Sequence, residues 1–303
     1  VAPSPDDRRI RLPDGHELVI RLVSAADAVA LDELCDRLRL EGALQRCSTF
    51  ARLGPDVVER MTTVGDRGGC GVVATVSATR LDRPRLVGGA GYEVLADGNG
   101  ELDLVVAPEW RWWLQRLLVH SILETAHRRD VPNIEVEVLL TNQALLGFAR
   151  ARGCAFTRSE RQWSLRAVMG TAGRTPTWPR PHDRPRVLIE SPVVTGSFDP
   201  ARVPPDWQVL VCPGPDERDC AAIDGHTCPL AVAADAVVIV PRAGDRRWSD
   251  LSAAHRRLHP DVPVLVEPPP VASGAARARL VDEAARAHRR RRVDPRADLP
   301  LPE

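Results

Sequence analysis

From Met169 to Pro185 the chain reads MGTAGRTPTWPRPHDRP, with prolines at positions 176, 179, 181 and 185. Proline lacks the N–H that a helix interior or a central strand requires, and it fixes its own φ. No regular element can run through this stretch, so it reads as an extended, fairly stiff connector. Whatever the chain folds into must therefore be built separately on either side. The 303 residues suit two domains of about 150 each. The reading is a loose N-terminus over 1–10, a first domain over 11–168, the connector over 169–185, a second domain over 186–290 and a C-terminal tail over 291–303. Hydrophobic content of 44% leaves both halves able to bury a core.

The first ten residues, VAPSPDDRRI, are polar and proline-containing, which predicts a loose terminus. Leu12-Pro13-Asp14-Gly15 reads as a turn into a strand from Glu17 to Val23. Ser24 is placed to cap a helix from Ala25 to Leu38, in which Ala28, Leu31, Leu34, Cys35 and Leu38 recur at helical spacing. Pro55 suits the first turn of a second helix that ends near Thr62. Strands follow at Cys70 to Ser77 and Leu86 to Leu95, and the turn Ala96-Asp97-Gly98-Asn99-Gly100 folds Glu101 to Val106 back as a hairpin partner. Next come a helix from Leu114 to Arg129, a strand from Asn133 to Leu140, a helix from Asn142 to Arg152 stopped by Gly153, and a last strand pair at Phe156 and Gln162 to Arg166.

Beyond the connector, Val187 to Glu190, Gln208 to Cys212, Ala236 to Val240 and Val262 to Val266 read as continuous apolar strands. Helices are predicted at Trp248 to Leu258 and Ser273 to His288. Buried strands alternating with helices predict a three-layer α/β domain, Rossmann-like or flavodoxin-like, with a mostly parallel sheet. The run Arg289 to Arg292 ends the last predicted helix, where positive charge suits the dipole. The fold class is α/β: an α+β first domain and this second one.

Forty-one basic residues, every one arginine, balance 41 acidic ones, for a formal net charge of zero. No global field draws the protein to nucleic acid or to an acidic membrane, and neither is expected as a partner. Seven scattered cysteines are not the framework of a small secreted fold. No signal-like segment opens the chain, and no run approaches the roughly 18 apolar residues of a membrane span. The expectation is a cytoplasmic protein.

Two stretches carry a resemblance. Leu86-Val87-Gly88-Gly89-Ala90-Gly91-Tyr92-Glu93, the turn, and then Glu101-Leu102-Asp103-Leu104-Val105-Val106-Ala107-Pro108-Glu109-Trp110 look like the central strands of the GNAT acetyltransferases. They are similar to a subgroup that includes bacterial protein acetyltransferases, whose second strand typically reads A-E-V-A-F-V-V and ends near a tryptophan. Downstream, Asn142 to Cys154 (NQALLGFARARGC) resembles the family's N-x-A helix ending at a glycine. The order of elements in the first domain agrees, so the resemblance covers about half the chain.

This resemblance implies an N-acyltransferase that moves an acyl group from acetyl-CoA or another acyl-CoA directly to an amine, on a small molecule or a protein. Glu101 matches the subgroup's general base, and a carboxylate in a partly closed cleft has its pKa raised toward the working pH. Asp103 lies two residues on, so both side chains face one side of the strand; a solvent-facing acidic pair is the plain alternative. Tyr92 matches an aromatic of the subgroup. Many relatives place a tyrosine acid where this chain has Ala149, so water or a group other than tyrosine would protonate the leaving thiolate. The amides near Val105 and Val106 would orient the acyl carbonyl, and Asn142 matches the residue that touches the pantetheine arm, although a helix cap explains it equally well.

The pyrophosphate of the cofactor is held in the family by amides at the start of the next helix, in a Q/R-x-x-G-x-G/A loop. This chain reads Trp110-Arg111-Trp112-Trp113-Leu114-Gln115-Arg116-Leu117-Leu118. Arg111 stands at the first motif position, both glycines are absent, and two tryptophans occupy the space. Backbone groups of Leu114 and Gln115 and the guanidiniums of Arg111 and Arg116 are the remaining phosphate ligands. The second functional reading follows from this departure: a catalytically degenerate GNAT-like regulatory or binding protein, with the C-terminal domain supplying the interaction. Dimerisation or a partner protein through that domain fits either reading.

Cys212, Cys220, His226 and Cys228 cluster within seventeen residues and carry zinc-ligand chemistry, but their spacing is not that of C-x-x-C knuckles, so no metal is expected. The loop Cys212-Pro213-Gly214-Pro215 lies where ligands bind in an open parallel sheet, without a G-x-G-x-x-G signature. His120 and His127 share a helix face and read as structural.

Overall fold

The computed structural model describes residues 7–40, 55–77, 84–159, 163–173, 175–178, 184–192, 207–216, 220–242, 244–266 and 286. The chain divides into two compact units: Val1–Ala149 with Ser159–Gly173, and Arg150–Arg158 with Arg174–Glu303.

In the first unit β1 (Arg8–Arg11), β2 (Glu17–Leu22), β3 (Cys70–Ser77), β4 (Arg85–Val94), β5 (Gly100–Val106), β6 (Asn133–Leu139) and β8 (Ser164–Gly170) form a sheet in the order β1-β2-β3-β4-β5-β6-β8. Arg8–Ile10 was expected to be part of a loose end; with Arg11 it forms β1. It pairs antiparallel with β2, because Gly15 at φ +87° lets the Leu12–His16 turn close. The second hairpin turn uses Gly98, at φ +85°, in the same way.

α1 (Ala28–Leu40), α2 (Pro55–Thr62) and α3 (Arg111–His127) cover the sheet. Ser24 begins the first of these as the N-cap of a short 3-10 turn, Ala25–Asp27, in a capping box with Asp27. Its N–H and its hydroxyl both donate to the Asp27 carboxylate, at 2.9 and 3.0 Å, and Arg21 holds that carboxylate from the other side.

Adjacent glycines on β4 show which helices lie on which face. A side chain at Gly88 would meet Leu118 and Leu114 of α3, whereas one at Gly89 would meet Met61 of α2 and Leu31 of α1. A Cβ at either position would press these side chains at 3.0–3.3 Å, so the glycines let the helices pack close. Leu31, Leu104, Leu114 and Leu118 are fully buried, each contributing roughly 1.5–3 kcal/mol. β8 pairs with β6 from Leu139↔Ser164 to Asn133↔Gly170, so the strand runs through Met169 and Gly170, which the composition placed in the connector.

In the second unit β9 (Arg186–Glu190), β10 (Gln208–Cys212), β11 (Ala236–Ile239) and β12 (Val264–Val266) are parallel, and β7 (Ala155–Arg158) pairs antiparallel with β10, in the order β7-β10-β9-β11-β12. Phe156 of β7 lies opposite Val211 of β10. α4 (Gln143–Arg152) precedes β7, and α5 (Pro229–Val232) and α6 (Arg246–Leu258) belong to the second unit. Asp245 caps α6 by accepting from the Arg247 N–H at 3.0 Å. Part of the connector is anchored: the Trp178 indole N–H donates to the Leu230 carbonyl at 2.8 Å. The predicted helix Ser273 to His288 and the arginine run after it lie outside the described residues, Arg286 excepted.

Candidate active site

β5 and β6 run parallel and pair at Gly100↔Ile134 and Glu101↔Glu135. Beyond that point the strands no longer pair, although β5 continues to Val106 and β6 to Leu139. The carboxyl half of β5 is thus paired on its β4 side alone among the described residues. Acidic residues gather where the strands part.

Glu93, Glu101 and Glu135 stand abreast on β4, β5 and β6, and Asp103 lies one step along, opposite Gly91. This is the Gly89 face of the sheet, the side that α1 and α2 cover. Like charges directly across a sheet repel, and arginines from three elements are interleaved among them. Arg67, from the 3-10 turn Val64–Arg67, meets Glu93 at 2.8 Å; Arg60 of α2 meets Asp103 at 3.3 Å. Arg166 of β8 bridges Glu135 at 3.1 Å and Glu101 at 3.9 Å. Glu135 also accepts from the Asn99 amide at 2.8 Å, and Asn99 in turn accepts from Asn133 at 3.0 Å.

The two expected catalytic carboxylates differ. The Glu101 side chain is 38% exposed, that of Asp103 17%. Burial pushes the Asp103 carboxyl up to about 7; the Arg60 guanidinium opposes the rise and the neighbouring charges of Glu101 and Glu93 reinforce it. Glu135 is also raised, first by burial, against the Asn99 bond and Arg166. The carboxyl brought toward neutrality is therefore Asp103, whereas the resemblance pointed first to Glu101. Glu93, Glu135, Asn99, Arg60, Arg67 and Arg166 were not singled out in the sequence. The alternation Glu135-Val136-Glu137 does mark charged positions on one side of a strand, but what they face depends on register with β5.

The residues expected to hold the cofactor lie at the end of β5 and the start of α3. Val105 and Val106 are fully buried. The Ala107 N–H donates to the Val87 carbonyl at 2.8 Å, and backbone direction alternates along an antiparallel strand. The Val105 amide therefore turns toward β4 and the Val106 amide away from it, to the side β6 has left. The 3-10 turn Pro108–Trp110 leads straight into α3, so Arg111, Trp112 and Trp113 form its first turn in place of a glycine loop. Trp113 is 39% exposed, and its ring lies 5.8 Å from that of Trp110.

The first four N–H groups of a helix have no partner within it, and the dipole there favours an anion. The Leu114 side chain is core, packed near Gly88, and leaves only its backbone. Gln115 is 4% exposed, and its amide nitrogen has no hydrogen-bond partner among the described residues. A buried donor of this kind on the second turn suits an anionic or carbonyl acceptor. Arg116 is exposed, with its guanidinium 6.0 Å from the Phe148 ring centroid. Asn142 caps α4, its side-chain oxygen accepting from the Leu145 N–H at 3.3 Å.

In the second unit Cys212, Cys220 and Cys228 are buried and His226 is exposed. Burial pushes the Cys220 thiol up to about 11 and Cys228 up to about 12, so both stay protonated at neutral pH. Among the described residues no three His, Cys, Asp or Glu side chains converge as metal ligands. Gly214, at φ +69°, lies against the Trp248 ring, which a Cβ there would meet at 2.5 Å. No described helix is long and apolar enough to cross a membrane.

No protein-family model matches the chain, and no curated protein matches it. Solved structures resemble about half of it. The GNAT domain of S. lividans PAT is 19% identical, with a TM-score of 0.42, covering 56% of this chain and 99% of that one. A GNAT-family acetyltransferase from Staphylococcus aureus is 13% identical, with a TM-score of 0.40, covering 50% and 96%. A putative acetyltransferase from Salmonella typhimurium, solved with its cofactor acetyl-CoA, is 16% identical, with a TM-score of 0.39, covering 50% and 91%. At such identities and scores the chemistry rests on this chain's own residues.

Proposed function

We propose that the first unit is an N-acyltransferase that transfers an acyl group directly from acetyl-CoA or another acyl-CoA to an amine. The observation that carries the reading is Asp103: a carboxyl raised to about 7, beside the half-exposed Glu101, where β5 parts from β6. A base working on an ammonium at neutral pH is most effective with a pKa near that pH.

In this reading the acidic face admits the cationic amine of a small molecule or a protein. Glu101 attracts it from the open side and Asp103 takes its proton. Acyl-CoA supplies the thioester. The Val106 N–H donates to the carbonyl oxygen that gains charge as the amine adds, and water protonates the departing sulfur. The N-terminal amides of α3, with Gln115, Arg111 and Arg116, hold the phosphates; Asn142 lies toward the pantetheine arm. The chain contains no lysine, so it is not its own lysine substrate. The setting is cytoplasmic, and a second copy or a partner docks on the C-terminal unit.

Calorimetric titration with acetyl-CoA is the first test. No heat at millimolar cofactor ends the enzyme reading. Where binding is seen, Asp103→Asn lowers kcat by about 10²–10³ and removes the limb of the pH–rate profile near neutrality, whereas Glu101→Gln acts mainly on KM for the amine. An unchanged profile in Asp103→Asn removes it as the base.

One observation favours a second reading, a GNAT-like binding or regulatory protein without turnover. Arg111–Trp113 is helical, with tryptophans where the family has glycines. Acetyl-CoA binding without acyl transfer to any of a panel of amines would select it.

A further inference from the structure

We propose that a cavity between β1–β3 and the carboxyl end of α3 is a binding site for a small, multiply charged anion. The cavity holds about 460 Å³ and is lined by Arg8, Arg21, Arg128 and Arg129, with Cys70 and Val72 among its apolar walls. That volume falls within the range of roughly 300–1,000 Å³ typical of small-molecule sites.

The cavity is separate from the acidic site in two ways. Val72 lies opposite Ala90 and Cys70 opposite Tyr92, which puts them on the Gly88 face of the sheet, away from Glu93, Glu101 and Asp103. Along α3, Arg128 stands about 25 Å from Arg111, at 1.5 Å per residue. An anion here does not occupy the pyrophosphate position proposed at the other end of the helix.

Three of the four arginines are braced. Arg21 makes a two-pronged pair with Asp27 at 2.8 and 2.6 Å. Arg129 donates to the Gly69 carbonyl at 2.5 Å, and Arg128 donates to the Thr125 hydroxyl at 3.1 Å. Arg8 has no ion pair among the described residues. The acid in the lining, Glu124, lies 3.0 Å from the His120 ring nitrogen. Arg128 and Arg129 also suit the negative end of the helix dipole. That explanation does not extend to Arg8, which comes from a strand and lines the same concavity; Arg21 lies opposite Val73, so its guanidinium turns to the Gly89 face, where Asp27 holds it, and only the rest of the residue borders the cavity. Arg8, Arg128 and Arg129 set against Glu124 leave positive charge in excess, and guanidinium forks match phosphate and carboxylate oxygens in pairs.

Phosphate and carboxylate ligands share this chemistry, so the full chain is titrated calorimetrically with inorganic pyrophosphate and, separately, with citrate. The expected result is one-to-one binding of at least one of them, weakened by added salt. The double variant Arg8→Gln/Arg128→Gln lowers affinity at least tenfold, and Gln115→Leu leaves it unchanged. Arg8→Gln alone changes an exposed edge-strand residue without threatening the fold, and costs roughly fivefold to tenfold. The proposal is overturned if neither anion binds, if the arginine variants bind as the parent does, or if Gln115→Leu abolishes binding. The last outcome places the anion at the start of α3 instead. Failure of acetyl-CoA to bind leaves this test intact, because no arm depends on it.

Discussion

Both units place carboxylates where strands end or part, and they treat them in opposite ways. In the first, Glu93, Glu101, Asp103 and Glu135 share a sheet face with three arginines, and Glu101 and Asp103 keep access to solvent. In the second, Glu190 ends β9 between Cys212 of β10 and Ile239 of β11. That is where open parallel sheets bind ligands, but the protein fills the place itself. Glu190 lies 2.9 Å from the His255 ring nitrogen, the two side chains being 1% and 0% exposed, and the His259 ring stacks obliquely 5.8 Å beyond. A carboxylate among half-exposed arginines remains available for chemistry. One sealed against a buried imidazole becomes part of the core, which is why function is sought in the first unit.

The largest effect expected tests that contrast directly. His255→Leu leaves Glu190 buried without its partner and costs about 3–5 kcal/mol, read by denaturant unfolding of the full chain. Replacing both residues by Leu recovers much of that loss. Arg67→Gln, at the half-exposed pair with Glu93, costs no more than about 1 kcal/mol. Equal losses for His255→Leu and Arg67→Gln would erase the distinction between the two regions.

Asp103 comes next. Its carboxyl rises from 3.8 to about 7 in the fold, so the folded state binds the proton more tightly than the unfolded chain does. Stability from this group is fully present below about pH 4 and is lost as pH rises through about 7, by up to about 4 kcal/mol. Asp103→Asn removes that slope and is more stable than the parent at pH 7. Unfolding free energies measured from pH 4 to 8 check it; parallel curves for parent and variant would mean that Asp103 is not strained by burial.

Local pattern is what could be read from the chain. Helices at Pro55 and Trp248 and the hairpin closed by Gly98 depend on neighbours a few residues away, and all three formed. Register between distant strands does not depend on neighbours. Phe156 pairs with Val211, fifty-five residues on, and Glu101 meets Glu135 across a parallel pair that no turn dictates. The candidate site divides along the same line. Glu101 and Asp103 are visible as alternating acids on one strand. Arg60, Arg67 and Arg166, which tune them, come from three elements that only the tertiary fold brings together. The start of α3 differs for another reason: the helix was expected from Leu114, and Pro108 opens a 3-10 turn that runs into helix already at Arg111.

The smallest effect distinguishes the two regions by sign. Burial lowers the His259 pKa below 6.5, the neighbouring His255 adds to this, and Glu190 opposes it. The neutral ring is thus the form the fold prefers, and the unfolded chain takes up a proton first as the solution is acidified. The second unit therefore loses stability as pH falls through about 6.5, over a range in which Asp103 makes the first unit more stable. Amide hydrogen exchange resolves the two: between pH 7 and 5, after correction for intrinsic rates, protection falls along α6 and rises along β5. In His259→Gln the fall along α6 is reduced while the rise along β5 persists. Protection that moves the same way in both units would show that their buried groups do not respond to acid independently, and would end the contrast between an accessible acid face and a sealed carboxylate–imidazole pair.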